Sequence, residues 1–161
     1  MKKRILNYGL HNINKLDVES VIETLNSKWL SQGPKVKKFE SKLSKYFNSK
    51  FSLVTSNGTS ALYLAGKSLG WSNKSNIIMS PLTFVAGANA AELCNSKIFF
   101  ADIEKHTYCL DPNKVEYQIK NLKNKIHTVI ATDYAGNTCD WKSLKYLSEK
   151  YEFYLVNDNC H

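Results

Sequence analysis

The sequence predicts an α/β fold, a mainly parallel sheet held between helices. Three observations predict it. Short apolar runs of strand length alternate with longer segments of helical periodicity. Several of these runs are apolar at successive positions, without in/out alternation, which is how strands covered on both faces read. Polar and aromatic residues then follow the ends of the runs, on the edge where open α/β sheets bind ligands.

The elements follow in chain order. Residues 15–26 place Val18, Val21, Ile22 and Leu25 on one helical stripe. Gly33-Pro34 interrupts, and Pro34 suits the first turn of a second helix carrying Val36, Phe39, Leu43 and Phe47. Residues 51–55 predict a first strand, and 59–69 a small-residue helix stopped by Gly70. A second strand falls at 77–80, an Ala- and Gly-rich helix at 84–93, and a third strand at 97–101. Asp111-Pro112 opens a helix, with Asp as cap and Pro as first residue. A fourth strand falls at 127–131, Asp140 caps a helix through Lys150, and a fifth strand falls at 153–156. A buried strand followed only by a short polar tail predicts the N-terminal part of a longer domain.

Composition narrows the function classes. The 161 residues suit one domain. With 43% apolar and 22% charged residues, disorder, collagen and coiled coil are excluded as the main state. No apolar run approaches the ~20 residues of a membrane span. The basic start lacks a signal peptide's apolar stretch, so a cytoplasmic location is expected. Cys94, Cys109, Cys139 and Cys160 are widely spaced without CxxC, which predicts neither a metal site nor a disulfide framework. The net charge of +8 invites a nucleic-acid reading. Against it, Arg4 is the only arginine and the lysines are scattered beside many asparagines. Base readout and bidentate phosphate contacts favour Arg, so no nucleic-acid partner is expected.

The strand ends carry the candidate chemistry. Ser56-Asn57-Gly58-Thr59-Ser60 has the makings of a phosphate cradle, with Gly58 allowing close approach to the free NH groups of a helix N-terminus. The same residues equally suit a plain helix cap, and neither a Walker motif nor GxGxxG is present. Asp158 is a carboxylate directly after a buried strand, so it needs a partner. A cationic ring nitrogen, a helix N-terminus, a lysine or a capping role would each serve. His161 follows three residues later. Phe84 reads either as a core aromatic or as a ring that stacks on a flat cofactor.

Taken in order, these pieces resemble the DegT/DnrJ/EryC1/StrS family of sugar aminotransferases, which use pyridoxal phosphate on a fold-type I scaffold. The resemblance rests on Trp29-Leu30-Ser31-Gln32-Gly33-Pro34 with Phe39-Glu40, Ser56 to Leu62, and Ser80-Pro81-Leu82-Thr83-Phe84-Val85-Ala86 with Ala88-Asn89-Ala90. Phe100-Ala101-Asp102-Ile103, Leu110-Asp111-Pro112 and Asp158-Asn159-Cys160-His161 complete it. It implies that residues 1–161 form the N-terminal part of the cofactor-binding large domain. Residues 1–50 would be the N-terminal helices and substrate-side loop, and 51–161 the alternating core. The rest of the large domain and a small domain would lie outside the chain.

By the same resemblance, Gly58, Thr59 and Ser60 lie near the cofactor phosphate and Phe84 stacks on the pyridine ring. Asp158 pairs with the protonated ring nitrogen, and His161 lies near the phenolic oxygen. Asp158 and His161 are the implied catalytic residues, and Trp29, Ser31, Gln32 and Gly33 the substrate-side loop. Partners implied are a nucleotide-linked keto sugar, glutamate and a second copy in a homodimer. Thr132-Asp133-Tyr134-Ala135-Gly136 and Asn157 to His161 resemble the branch that aminates UDP-4-keto-6-deoxy-N-acetylhexosamine toward pseudaminic acid, giving UDP-4-amino-4,6-dideoxy-N-acetyl-β-L-altrosamine. The family's Schiff-base lysine lies beyond the element ending at His161, so the 161 residues alone are expected to be inactive. Two other readings stay open: a non-catalytic α/β binding module, and a dehydratase or regulatory relative of the same fold.

Overall fold

In the computed structural model, residues 9–160 are described, and they divide into two units, one up to Val54 and one from Thr55. In the first, helix α1 (Lys15–Leu25) starts at a capping box: Asn14 accepts from the NH groups of Leu16 and Asp17, while Asp17 accepts from the NH of Asn14. Helix α2 (Pro34–Tyr46) begins with Pro34 in its first turn, as the fixed φ of proline favours. The predicted apolar stripe of α1 is present, yet neither helix has a buried residue. Val21, Ile22, Leu25 and Phe39 are all more than half exposed.

The second unit holds the sheet. Its elements are α3 (Gly58–Ser68), β1 (Asn76–Met79), α4 (Ala86–Leu93), β2 (Lys97–Phe100), α5 (Pro112–Asn121), β3 (Thr128–Thr132), α6 (Trp141–Tyr151) and β4 (Tyr154–Asp158). The strands are all parallel, in the order β2-β1-β3-β4. Asp111 and Asp140 cap α5 and α6 as predicted, accepting from the NH groups of Asn113 and Ser143.

Continuous apolar runs are explained by cover on both faces. Ile77, Met79 and Ile130 pack with Leu62, Ala86 and Ala90 on the α3/α4 face. Ile78, Val129 and Ala131 pack with Val115, Leu144 and Leu147 on the α5/α6 face. Burying each larger aliphatic contributes roughly 1.5–3 kcal/mol. The α3/α4 layer sits close because small residues face it. A Cβ on Gly66 would lie 2.1 Å from the Trp71 ring, whose Nε1 donates to the buried Thr128 hydroxyl at 2.9 Å.

Two expectations fail. Residues 51–55 are not a strand, and among the described residues the sheet has four strands rather than five. Phe51 and Leu53 are 77% and 83% exposed, and the Val54 NH donates to the Glu40 carboxylate at 3.0 Å. Apolar pattern supplies side chains for a strand but not the neighbouring ladder. The helix predicted from residue 84 starts at Ala86, leaving Phe84 in the connection before it. Among the described residues, no helix is long and apolar enough to cross a membrane.

Candidate active site

Because the strands run parallel, their carboxyl ends share one edge, and the side chains there are sorted by face. Thr132 and Asp158 are register partners, each two residues beyond an aliphatic of the α3/α4 face, Ile130 and Val156. Strand side chains alternate, so Thr132 and Asp158 face α3 and α4. Thr132 shares a hydrogen bond with Thr83 at 3.2 Å, which ties the connection carrying Phe84 to the same edge.

Asp158 is only 6% exposed, and its Oδ1 is buried without a hydrogen-bond partner among the described residues. Leaving a buried acceptor unsatisfied costs about 1–3 kcal/mol, more when it is charged. The N-terminus of α3 lies close to the chain two residues beyond it. A Cβ placed on Gly58 would stand 3.0 Å from Cys160 Sγ, two residues after Asp158. Asn57 caps α3 by accepting from the Ser60 NH at 2.8 Å. The capping reading is observed, with Ser60 giving its NH to the cap, and Gly58 and Thr59 stand in the first turn at the positive end of the helix dipole. A buried acceptor and a helix N-terminus on one edge suit a ligand with a cationic ring nitrogen at one end and an anionic group at the other.

Asp133, one residue beyond Thr132, turns to the opposite face. Its Oδ1 accepts from the Cys139 NH at 2.7 Å and from Trp141 Nε1 at 3.1 Å; its Oδ2 accepts from Asn157 Nδ2 at 3.3 Å. This carboxylate fastens the 133–141 turn and the end of β4. The Cys139 thiol is pushed well above its ordinary range by burial first, and then by Cys109 and Asp133 nearby.

The predicted site residues thus fall into three groups. Gly58, Thr59, Ser60 and Asp158 gather at the carboxyl edge of the second unit. Phe84 is in the connection after β1 and is 66% exposed. Trp29, Ser31, Gln32 and Gly33 belong to the first unit, in the link between α1 and α2, where Gln32 has φ +49° and Gly33 is the N-cap of α2. His161 lies outside the described residues. Sequence reasoning gave no role to Cys160 or to the Thr83–Thr132 pair. Only the placement of Cys160 beside a candidate carboxylate signalled it, and the thiol's approach to Gly58 spans the whole second unit.

Known proteins are similar in sequence and in fold. A UDP-4-amino-4,6-dideoxy-N-acetyl-β-L-altrosamine transaminase of Campylobacter jejuni is 34% identical over 98% of this chain, which covers 41% of that protein. The solved structure of Helicobacter pylori PseC, an aminotransferase involved in pseudaminic acid biosynthesis, superposes with a TM-score of 0.85 at 29% identity, over 93% of this chain and 40% of that one. NtdA from Bacillus subtilis, solved with bound cofactor PMP, gives a TM-score of 0.83 at 25% identity, over 92% of this chain and 34% of that one. The chain therefore spans about two fifths of the length of the curated relative. With residues 11–161 matched by the profile of the DegT/DnrJ/EryC1/StrS aminotransferases, the chain belongs to that family.

Proposed function

We propose that the whole protein is a pyridoxal-phosphate-dependent aminotransferase acting on a nucleotide-linked 4-keto-6-deoxy sugar. Its substrate is UDP-4-keto-6-deoxy-N-acetylhexosamine, its amino donor is glutamate, and it works as a cytoplasmic homodimer in cell-surface sugar biosynthesis. The observation that carries this reading is Asp158, a buried carboxylate with one oxygen unpartnered among the described residues, on the edge that also holds the α3 N-terminus. The Campylobacter and Helicobacter relatives support the sugar branch, and the PMP-bound NtdA supports the cofactor.

When bound, pyridoxal phosphate supplies a ring that accepts the electron pair left as a proton leaves the amino-bearing carbon. Asp158 holds a proton at the ring nitrogen, and its burial strengthens that contact by removing competing water. The first turn of α3, with Gly58 and Thr59, binds the phosphate through backbone NH groups, and the Thr59 and Ser60 hydroxyls add donors. Phe84 covers one ring face against water, and His161 serves as a donor beside the phenolic oxygen. The link bearing Trp29, Ser31, Gln32 and Gly33 orients the sugar. Residues 1–50 and 51–161 are accordingly the N-terminal helices and the core of the cofactor-binding domain.

The test is amino transfer from glutamate by the whole protein, with UDP-, GDP- and dTDP-linked keto sugars as acceptors and the product identified by mass. Preferred amination of the UDP-N-acetyl sugar is expected. Transfer to none of them overturns the function, and preference for another nucleotide overturns the branch.

A further inference from the structure

We propose that Thr132 is a positioning residue for Phe84: its hydroxyl, bonded to that of Thr83, clasps the connection between β1 and α4 to β3 and keeps Phe84 at the edge that holds Asp158. That Phe84 then covers a cofactor ring rests on the function proposed above; the clasp does not.

The first observation is the hydroxyl itself. Thr132 is buried, and a hydroxyl taken from water costs free energy unless it is hydrogen-bonded. Its side-chain oxygen shares a hydrogen bond of 3.2 Å with that of Thr83, 49 positions earlier. Valine has the same β-branched shape and suits a covered strand as well, so the bond to Thr83 is what accounts for the hydroxyl. Thr128, earlier on the same strand, follows the same rule, since its buried hydroxyl accepts from Trp71 Nε1.

The second observation is how little else fastens the connection. Pro81 has no NH to give. The Leu82 NH donates locally, to Ser80 Oγ at 3.0 Å, and Val85 stands at the N-cap of α4 without a side-chain cap bond. Leu82, Phe84 and Val85 are all exposed, so apolar burial contributes little to holding them in place. The third observation is position. Thr132 is the register partner of Asp158, and both face α3 and α4. One hydroxyl on β3 thereby ties the residue next to Phe84 to the strand that flanks the unpartnered carboxylate oxygen.

The experiment reads chymotryptic cleavage after Phe84 in the full-length protein without cofactor, by peptide mass spectrometry, relative to cleavage after Tyr117 within α5. Cutting needs the connection to open, so its rate follows the population of the open form. Thr132→Val removes the hydroxyl and keeps the shape. The ratio should rise about fivefold, the scale of one hydrogen bond. Thr132→Ser keeps the hydroxyl and should stay within about twofold of the natural protein. Should Thr132→Val unfold, as near-UV circular dichroism would reveal, Thr132→Ala removes the same hydroxyl and gives the same readout. An unchanged ratio in the folded variants overturns the clasp, and so does a Ser variant cut as fast as the Val variant. With pyridoxal phosphate added, Thr132→Val should bind it about fivefold more weakly and Thr132→Ser within about twofold of the natural protein. Equal affinity of the Val and Ser variants overturns the positioning role. If the natural protein itself binds no pyridoxal phosphate, the proposed function fails, and the cleavage ratios still decide the clasp.

Discussion

Asp133 and Asp158 stand at the ends of neighbouring strands of one sheet, Asp133 after the buried β3 and Asp158 closing the edge strand β4, which is part-exposed rather than buried as the sequence predicts, and the two are buried to nearly the same degree, 7% and 6% exposed. They face opposite sides. Asp133 turns to the α5/α6 face, where the chain returns within eight residues to deliver the Cys139 NH and the Trp141 indole. Asp158 turns to the α3/α4 face, and its Oδ1 receives no donor among the described residues. A carboxylate taken from water needs donors. One of this pair has them from the fold, and the other is built to take one from a ligand. Burial alone does not mark a functional acid; the donor count around it does.

The largest effect that would break this comparison is on activity. In the whole protein, Asp158→Asn should retain bound cofactor and lose transamination by more than about a hundredfold, the scale of removing a charge-stabilising contact. Its melting temperature should change little, because no donor among the described residues depends on Oδ1. A normal rate of amino transfer in the variant would remove Asp158 from the reaction.

Asp133 should behave in the opposite way. Asp133→Ala strands the Cys139 NH, the Trp141 indole NH and the Asn157 amide, so stability should fall by about 2–4 kcal/mol. Asp133→Asn keeps one oxygen for the first two donors but sets an amide against the Asn157 amide, and should cost about 1–2 kcal/mol. Urea unfolding followed by tryptophan fluorescence measures both. If Asp133→Ala is as stable as the natural protein, the two carboxylates do not differ in the way described.

Much of this architecture was legible and the comparison itself was not. The caps at Asp111 and Asp140 depend on residues within three positions, and the covered strands on runs of four or five apolar residues; both are local. That Asp133 is satisfied depends on Trp141 returning across a turn, and that Asp158 is not depends on which face the pleat gives it. Local pattern treats the two identically. The error at residues 51–55 has the same origin, since a strand is defined by its neighbour and the Val54 NH found the Glu40 carboxylate instead. The approach of Cys160 to Gly58 joins opposite ends of the second unit.

A smaller effect sharpens the account of the α3/α4 face, on which Asp158 is held. Gly66→Ala drives a Cβ into the Trp71 ring, to 2.1 Å, and disturbs the bond from its Nε1 to Thr128. Overpacking of this kind costs about 1–3 kcal/mol. Trp71 emission should shift and the midpoint of unfolding should drop. Asp133→Ala should add to this loss almost independently, because the two sites lie on opposite faces. Strong non-additivity would mean that the faces are coupled through the sheet.

The smallest effect concerns the outer surface of the Asp133 face. Glu116 on α5 accepts from Lys150 Nζ at 2.8 Å and Tyr151 at 2.7 Å, and pairs with Lys120 at 3.1 Å. The Lys150 contact first, then Tyr151 and Lys120, lowers its carboxyl to about 2 from an ordinary 4.5. The folded form therefore keeps this charge where the unfolded chain has already taken a proton. Its contribution is present above about 4.5 and is lost as pH falls toward about 2. Glu116 is solvent-screened, so the change is slight. Glu116→Gln should flatten the decline of the melting temperature between those two values and leave the melt at neutral pH nearly unchanged. A slope unaffected by Glu116→Gln would remove Glu116 as the source of this face's acid sensitivity.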